Sequence, residues 1–159
     1  MPNNQDSPCC KYHPLQLILL VVDGSAASEN AAHFAVSLAA QTGARILAVY
    51  DIDTAMMDYL LQMHILVNAE REDFEAALEA KGQSYLDFTH RIAEKAGVTM
   101  DTQIIRGRFH EEFARLADEN KADMIVIGCW RYNARGKDTS AAERELLLDT
   151  THTPVTIVR

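Results

Sequence analysis

Two unbroken apolar runs constrain this chain more than any other feature. Leu17-Ile18-Leu19-Leu20-Val21-Val22 stops at Asp23-Gly24-Ser25, and Ala122-Asp123-Met124-Ile125-Val126-Ile127-Gly128 stops at a polar stretch from Cys129 to Thr139. A strand without polar alternation is buried on both faces, the state of a central strand in a parallel sheet. Open α/β sheets hold ligands in a crevice at the carboxyl ends of such strands, so function is sought at these two turns.

The rest of the chain supplies layers to bury those runs. From Ser28 to Gln41, residues Ala31, Ala32, Ala35, Leu38 and Ala39 share one helical face, and Gly43 follows as a C-terminal cap. Ile46 to Tyr50 is a second strand that ends at Asp51-Ile52-Asp53. Thr54 to Asn68 carries Met56, Met57, Leu60, Leu61, Met63, Ile65 and Leu66 and reads as a helix or a docked flap. Methionine fills irregular gaps, which favours core packing or a dimer contact there over a ligand pocket. Phe74, Leu78, Tyr85, Phe88 and Ile92 predict a long helix over 69–96, ended by Gly97.

Thr99 to Ile105 is the third strand, broken by Arg106-Gly107. Glu111 and Glu112 suit a helix N-terminus, with Phe109, Phe113, Leu116 and Ala117 on its buried face. A helix from Ala141 to about Thr150 and a strand from Pro154 to Val158 complete the alternation. Strict βα alternation with right-handed crossovers gives an α/β fold: a five-stranded parallel sheet with helices on both faces. In the order 3-2-1-4-5, strands 1 and 4 are neighbours and Asp23 and Gly128 face one crevice. Residues 1–14 are polar, hold three of the four prolines, and read as a disordered arm before a domain spanning 15–159.

Composition excludes several partners. Fifteen basic against 23 acidic side chains leave a net charge of -8, which disfavours nucleic acid and anionic membrane. No apolar run approaches a membrane span, and the N-terminus lacks a secretion signal. Three cysteines suggest no disulfide framework, so a cytoplasmic location is expected. The six histidines are dispersed without metal-ligand spacing, and Cys9-Cys10 has no matching pair, so no metal site is expected.

The Val22-Asp23-Gly24-Ser25 turn, Gly107 six residues before Phe113, the Ala122–Gly128 stretch and the terminal Thr153-Pro154-Val155-Thr156-Ile157-Val158 together resemble the universal stress protein family. The resemblance runs from about Leu17 to Arg159. It implies the Rossmann-like 3-2-1-4-5 sheet, a cytoplasmic homodimer built through the last strand (154–159), and a role in stress survival. In nucleotide-binding members of that family, ATP or AMP lies across strands 1 and 4. The resemblance then implies contacts at Val22, Asp23, Gly24, Ser25, Val49, Ile127, Gly128, Arg131, Ala141 and Ala142, with Tyr50 in the same region.

Those members carry a loop of the form Gly, two residues, Gly, nine residues, Gly, then Ser or Thr. Here Gly128 keeps the first position, while Arg131, Ala141 and Ala142 stand at the others. Glycine lets backbone amides approach phosphate, and a Cβ at Arg131 and Ala141 hinders that approach. Ser140-Ala141-Ala142-Glu143 reads as a capping box, which would place a carboxylate at the anion-attracting end of the last helix. Against this, Arg131, Arg135 and Lys137 could clamp phosphate themselves, or pair with nearby carboxylates in a solvated loop. Trp130 and Tyr132 stack on a base or cover the sheet edge; Cys129 reads as packed rather than reactive.

Two functions follow. The first is a homodimeric stress-response protein that acts by binding and interaction, requires no cofactor, and holds adenine nucleotide weakly or not at all. The second is an ATP/AMP-binding switch that uses Arg131, Arg135 and Lys137, at most with slow hydrolysis. A receiver domain would need an acidic cluster after strand 1 and an acceptor aspartate after strand 3, where Asp23 stands alone and Arg106 follows. A flavodoxin would need a hydroxyl-rich loop where Ala26 and Ala27 lie. Catalysis is not expected.

Overall fold

The apolar runs form adjacent inner strands of one parallel sheet. In the computed structural model, which describes residues 13–130 and 139–159, the elements are β1 (Leu17–Val22), α1 (Ala26–Thr42), β2 (Arg45–Asp53), α2 (Thr54–Gln62), α3 (Asn68–Lys95), β3 (Met100–Gly107), α4 (Phe109–Asn120), β4 (Met124–Gly128), α5 (Thr139–Thr150) and β5 (Val155–Val158). The strand order is β3-β2-β1-β4-β5, the 3-2-1-4-5 arrangement expected from the sequence. The proposed arm falls almost wholly outside the described residues, as do Arg131, Tyr132, Arg135 and Lys137.

Strand residues alternate between two cores. Ile18, Leu20 and Val22 of β1, with Ile46, Ala48, Tyr50 and Ile52 of β2, pack on the alanine face of α1 and on Leu86 and Ala93 of α3. Leu19, Val21, Val49, Ile125 and Ile127 face the other way, onto Phe109, Phe113, Leu116 and Ala117 of α4 and Leu147 of α5. α1 and α4 thus bury the stripes that their spacing displays, whereas α3 turns Phe74 and Phe88 of its expected face outward and buries Gly82, Leu86, Thr89 and Ala93.

The β1–β4 pair is tied at both ends. At the amino end, the Asp123 carboxylate accepts from the Gln16 and Leu17 amides at 2.8 and 2.9 Å, and so sets the register Ile18 to Met124. At the carboxyl end, Gly128 abuts α1: a Cβ there would lie 2.5 to 2.6 Å from backbone atoms of Ala27 and Ser28. Its lack of a side chain serves strand-on-helix packing.

Several boundaries differ from the sequence reading. β2 runs on to Asp53 and β3 to Gly107, because the two strands pair without interruption from Ile46–Met100 to Asp53–Gly107. Arg106 and Gly107 therefore extend the third strand; they do not break it. α1 starts at Ala26, with the Ser25 hydroxyl accepting from the Ser28 amide at 3.1 Å. The methionine-rich segment is a helix and turn, but only Met57 of it is buried, while Tyr59, Met63, Ile65 and Val67 are exposed.

Gly128→Ala is expected to lower stability by about 1–3 kcal/mol, the usual cost of overpacking. Thermal unfolding checks this. An unchanged Tm would mean that α1 can move aside.

Candidate functional site

The crevice forms where the β1 and β4 turns meet the start of α5. The Asp23 carboxylate accepts from the Ser25 amide at 2.8 Å, the turn role open to any aspartate at this place. Its other oxygen, Oδ2, accepts from Arg144 Nη2 at 2.7 Å. Arg144 comes from the first turns of α5, 121 residues away in sequence, and its side chain is only 11% exposed. Its guanidinium also sits 5.2 Å from the centre of the Phe109 ring. This bridge separates two cavities.

The first cavity, about 240 Å³, is lined by Val21, Val22 and Met56 as well as by Asp51, Asp53, Glu143 and the Asp23–Arg144 pair. The second, about 480 Å³, lies between Ser25, Ala27 and Asn30 of the α1 start and Trp130, Ala141 and Arg159. Ala141 is buried at its wall, so a Cβ does occupy the position where the family pattern has glycine.

Most carboxylates of the first cavity are already engaged. Glu143 does not complete a capping box. Helix α5 begins at Thr139, which puts Ser140 inside the first turn, and the Glu143 carboxylate instead accepts from the His110 ring at 2.6 Å and the His110 amide at 3.3 Å. Arg108 lies 3.6 Å away. Burial works against the Glu143 charge, but the His110 hydrogen bonds and the nearby Arg108 outweigh it and hold its pKa below the usual carboxylate value. Asp53 caps α2 by accepting from the Met56 amide at 3.2 Å.

Asp51 is the exception. Its Oδ1 is buried with no hydrogen-bond partner among the described residues. Burial, followed by the charges of Asp53, Glu112 and Glu143, pushes its pKa up to about 8, against a smaller opposing pull from Arg144. Asp51 is therefore mostly a neutral acid at pH 7, able to donate as well as accept.

Among the residues singled out from the sequence, Val22 and Asp23 line the first cavity, and Asp23, Ser25 and Ala141 line the second. Gly24 adopts φ +78°, with its open side against the Tyr85 ring. Val49 and Ile127 are buried beneath the crevice, Gly128 faces α1, Ala142 is half-buried, and Arg131 lies outside the described residues. Tyr50 points to the opposite face, against Gly82 and Tyr85. Trp130 packs on the α4 side of the sheet and borders the second cavity; the Cys129 amide donates to the Val158 carbonyl at 2.7 Å. No cluster able to hold a metal occurs among the described residues.

Sequence reasoning passed over Asp51, Asp53, Met56, Phe109 and Arg144. For the two aspartates a signal existed, since period-two alternation from Val49 places both on the crevice face. For Arg144 there was none, because its partner is remote in sequence.

A crevice at the reversal point of a doubly wound sheet defines an open α/β domain, and sheets of this kind hold their ligands at that point. The sequence model of the universal stress protein family matches residues 15–159, and the chain belongs to that family. It is 26% identical over 142 residues to a universal stress protein of Methanocaldococcus jannaschii, covering 89% of this chain and 81% of that one. A universal stress protein family structure from Burkholderia pseudomallei is 25% identical, with a TM-score of 0.68 over 90% of this chain and 95% of that one. A universal stress protein from Archaeoglobus fulgidus, solved in complex with dAMP, is 20% identical, with a TM-score of 0.63 over 91% and 98%.

The raised Asp51 pKa fixes a pH dependence. The folded form keeps a proton that the unfolded chain loses near pH 4, so this contribution to stability is full below pH 4 and falls until about pH 8. The slope is at most about 1.4 kcal/mol per pH unit. Urea unfolding between pH 5 and 9 should show this loss in the native protein and a clearly smaller one in Asp51→Asn. Parallel curves would assign the titration to another group.

Proposed function

We propose that this chain is a stress-response protein that acts by binding and interaction as a cytoplasmic homodimer, and that its crevice holds adenine nucleotide weakly or not at all. The observation that carries this reading is the Arg144–Asp23 bridge. It stands across the notch between β1 and β4 and divides the space that a nucleotide would cross. Ala141 at the cavity wall and the Glu143 carboxylate beside it add to the obstruction, one by volume and the other by charge. The dAMP complex of the Archaeoglobus relative makes an adenine nucleotide the ligand class to test. For the dimer, β5 is an edge strand among the described residues and exposes Ile157, which leaves an edge that a second copy could extend. No described helix is long and apolar enough to cross a membrane.

The second reading, a nucleotide switch that uses Arg131, Arg135 and Lys137, is favoured by one feature. The larger cavity already carries Arg144 and Arg159 next to Ser25 and Asn30, a setting in which further cations would complete a phosphate clamp.

Isothermal titration separates the two. The first reading expects no ATP or AMP binding at micromolar concentrations, and binding that tight overturns it. If the second holds, Arg131→Ala weakens ATP more than adenosine. Native mass spectrometry reports the dimer in the same preparation.

A further inference from the structure

The segment that joins β2 to the body of α3 is anchored on the sheet by the fully buried Met57 and by Leu78, and is otherwise little covered. From Arg71 to Lys81 no residue of α3 is buried, whereas Gly82, Leu86, Thr89 and Ala93 further along are. Together with α2, this first half of α3 makes a helical arm. Its turn displays Ile65 at 69% exposure, Met63 at 56%, Val67 at 54% and, on α2, Tyr59 at 53%. Beside them, Leu61, His64, Leu66, Val67 and Asn68 enclose a groove of about 370 Å³. Contiguous exposed apolar side chains of this kind mark interaction surfaces.

The charge around the groove selects the occupant. Between Asp58 and Lys81 the arm that carries the groove has six carboxylates, Asp58, Glu70, Glu72, Asp73, Glu75 and Glu79, against two cations, Arg71 and Lys81, and Glu79 is paired with Arg106 of β3 at 2.6 Å. Arg71 is already held by Glu75 at 3.0 Å and Asp58 at 3.6 Å. A second copy of the arm would bring carboxylates against carboxylates, and lipid headgroups or nucleic acid would be repelled in the same way. We propose that the α2–α3 arm is a docking surface for a basic amphipathic helix of a partner protein, whose apolar side chains enter the groove at the turn while its lysines and arginines face the acidic start of α3. Helix-in-groove recognition supplies the spacing: anchors at i, i+3 or i+4, and i+7.

The test uses the full chain and a synthetic leucine–lysine amphipathic helix of about four turns, with a leucine–glutamate version as its counterpart. Isothermal titration should show binding of the lysine peptide and none of the glutamate one. Ile65→Ser with Val67→Ser should weaken the lysine peptide at least tenfold, and these side chains are exposed enough for the fold to survive. Glu72→Lys with Asp73→Lys should weaken it as well and reduce the salt dependence. This second variant decides the matter if the first does not fold. Asp118→Lys with Glu119→Lys, on the exposed end of α4, should leave the affinity unchanged. Equal loss in the α4 variant overturns the proposal, because binding would then be general attraction to an acidic protein. So does a wild-type oligomer that dissociates, by sedimentation, when Ile65 and Val67 are replaced, because a second copy would then cover the groove.

Discussion

The contact on which the site depends joins backbone to backbone: the end of β4 against the first turn of α1, with Gly128 bare between them. Because no side chain intervenes, the β1 and β4 turns come close enough to share one notch. The Asp123 carboxylate sets the same pair of strands at its far end. A sheet clamped at both ends in this way fixes where Asp23 points, and within that spacing an arginine from α5 reaches it.

Electrostatics then decide what the notch can hold. Asp23 is matched by Arg144, Glu143 by His110 and Arg108, and Asp53 by the start of α2. A phosphate that entered would have to draw Arg144 from its partner. Separating such a partly buried pair costs on the order of 1–3 kcal/mol once solvent screening is allowed for. Asp51 has no such match and remains neutral instead, the usual resolution when a carboxyl is taken from water without a cation. Among the described residues, every carboxylate of the smaller cavity except that of Asp51 is thus matched.

Much of the architecture was legible before any coordinates. Unbroken apolar runs reported β1 and β4 as inner strands, and the alanines of α1 reported close packing on the sheet. Alternation and handedness gave a parallel sheet, and the strand order that the family resemblance implied is the one observed. The errors share one physical cause, which is that local grammar was preferred to distant partners. Ser140 to Glu143 has the spacing of a capping box, yet Glu143 bonds His110, 33 residues earlier. Arg106-Gly107 looks like a break, yet ladder pairing with β2 carries the strand through it. Gly128 stands at the first position of the family loop, and its neighbours in space add a packing reason that the sequence did not show. Arg144 belongs to the same group, since nothing near it in sequence announces Asp23.

Asp53 has three duties: it is the last residue of β2, the cap of α2 and a wall of the smaller cavity. A guest that claimed its carboxylate would take it from the Met56 amide and fray the first turn of α2. Occupancy inside the fold would thereby be felt at the root of α2, about 13 Å of helix from the exposed turn that follows it. The Asp53 carboxylate thus belongs at once to the cavity wall and to the first turn of α2.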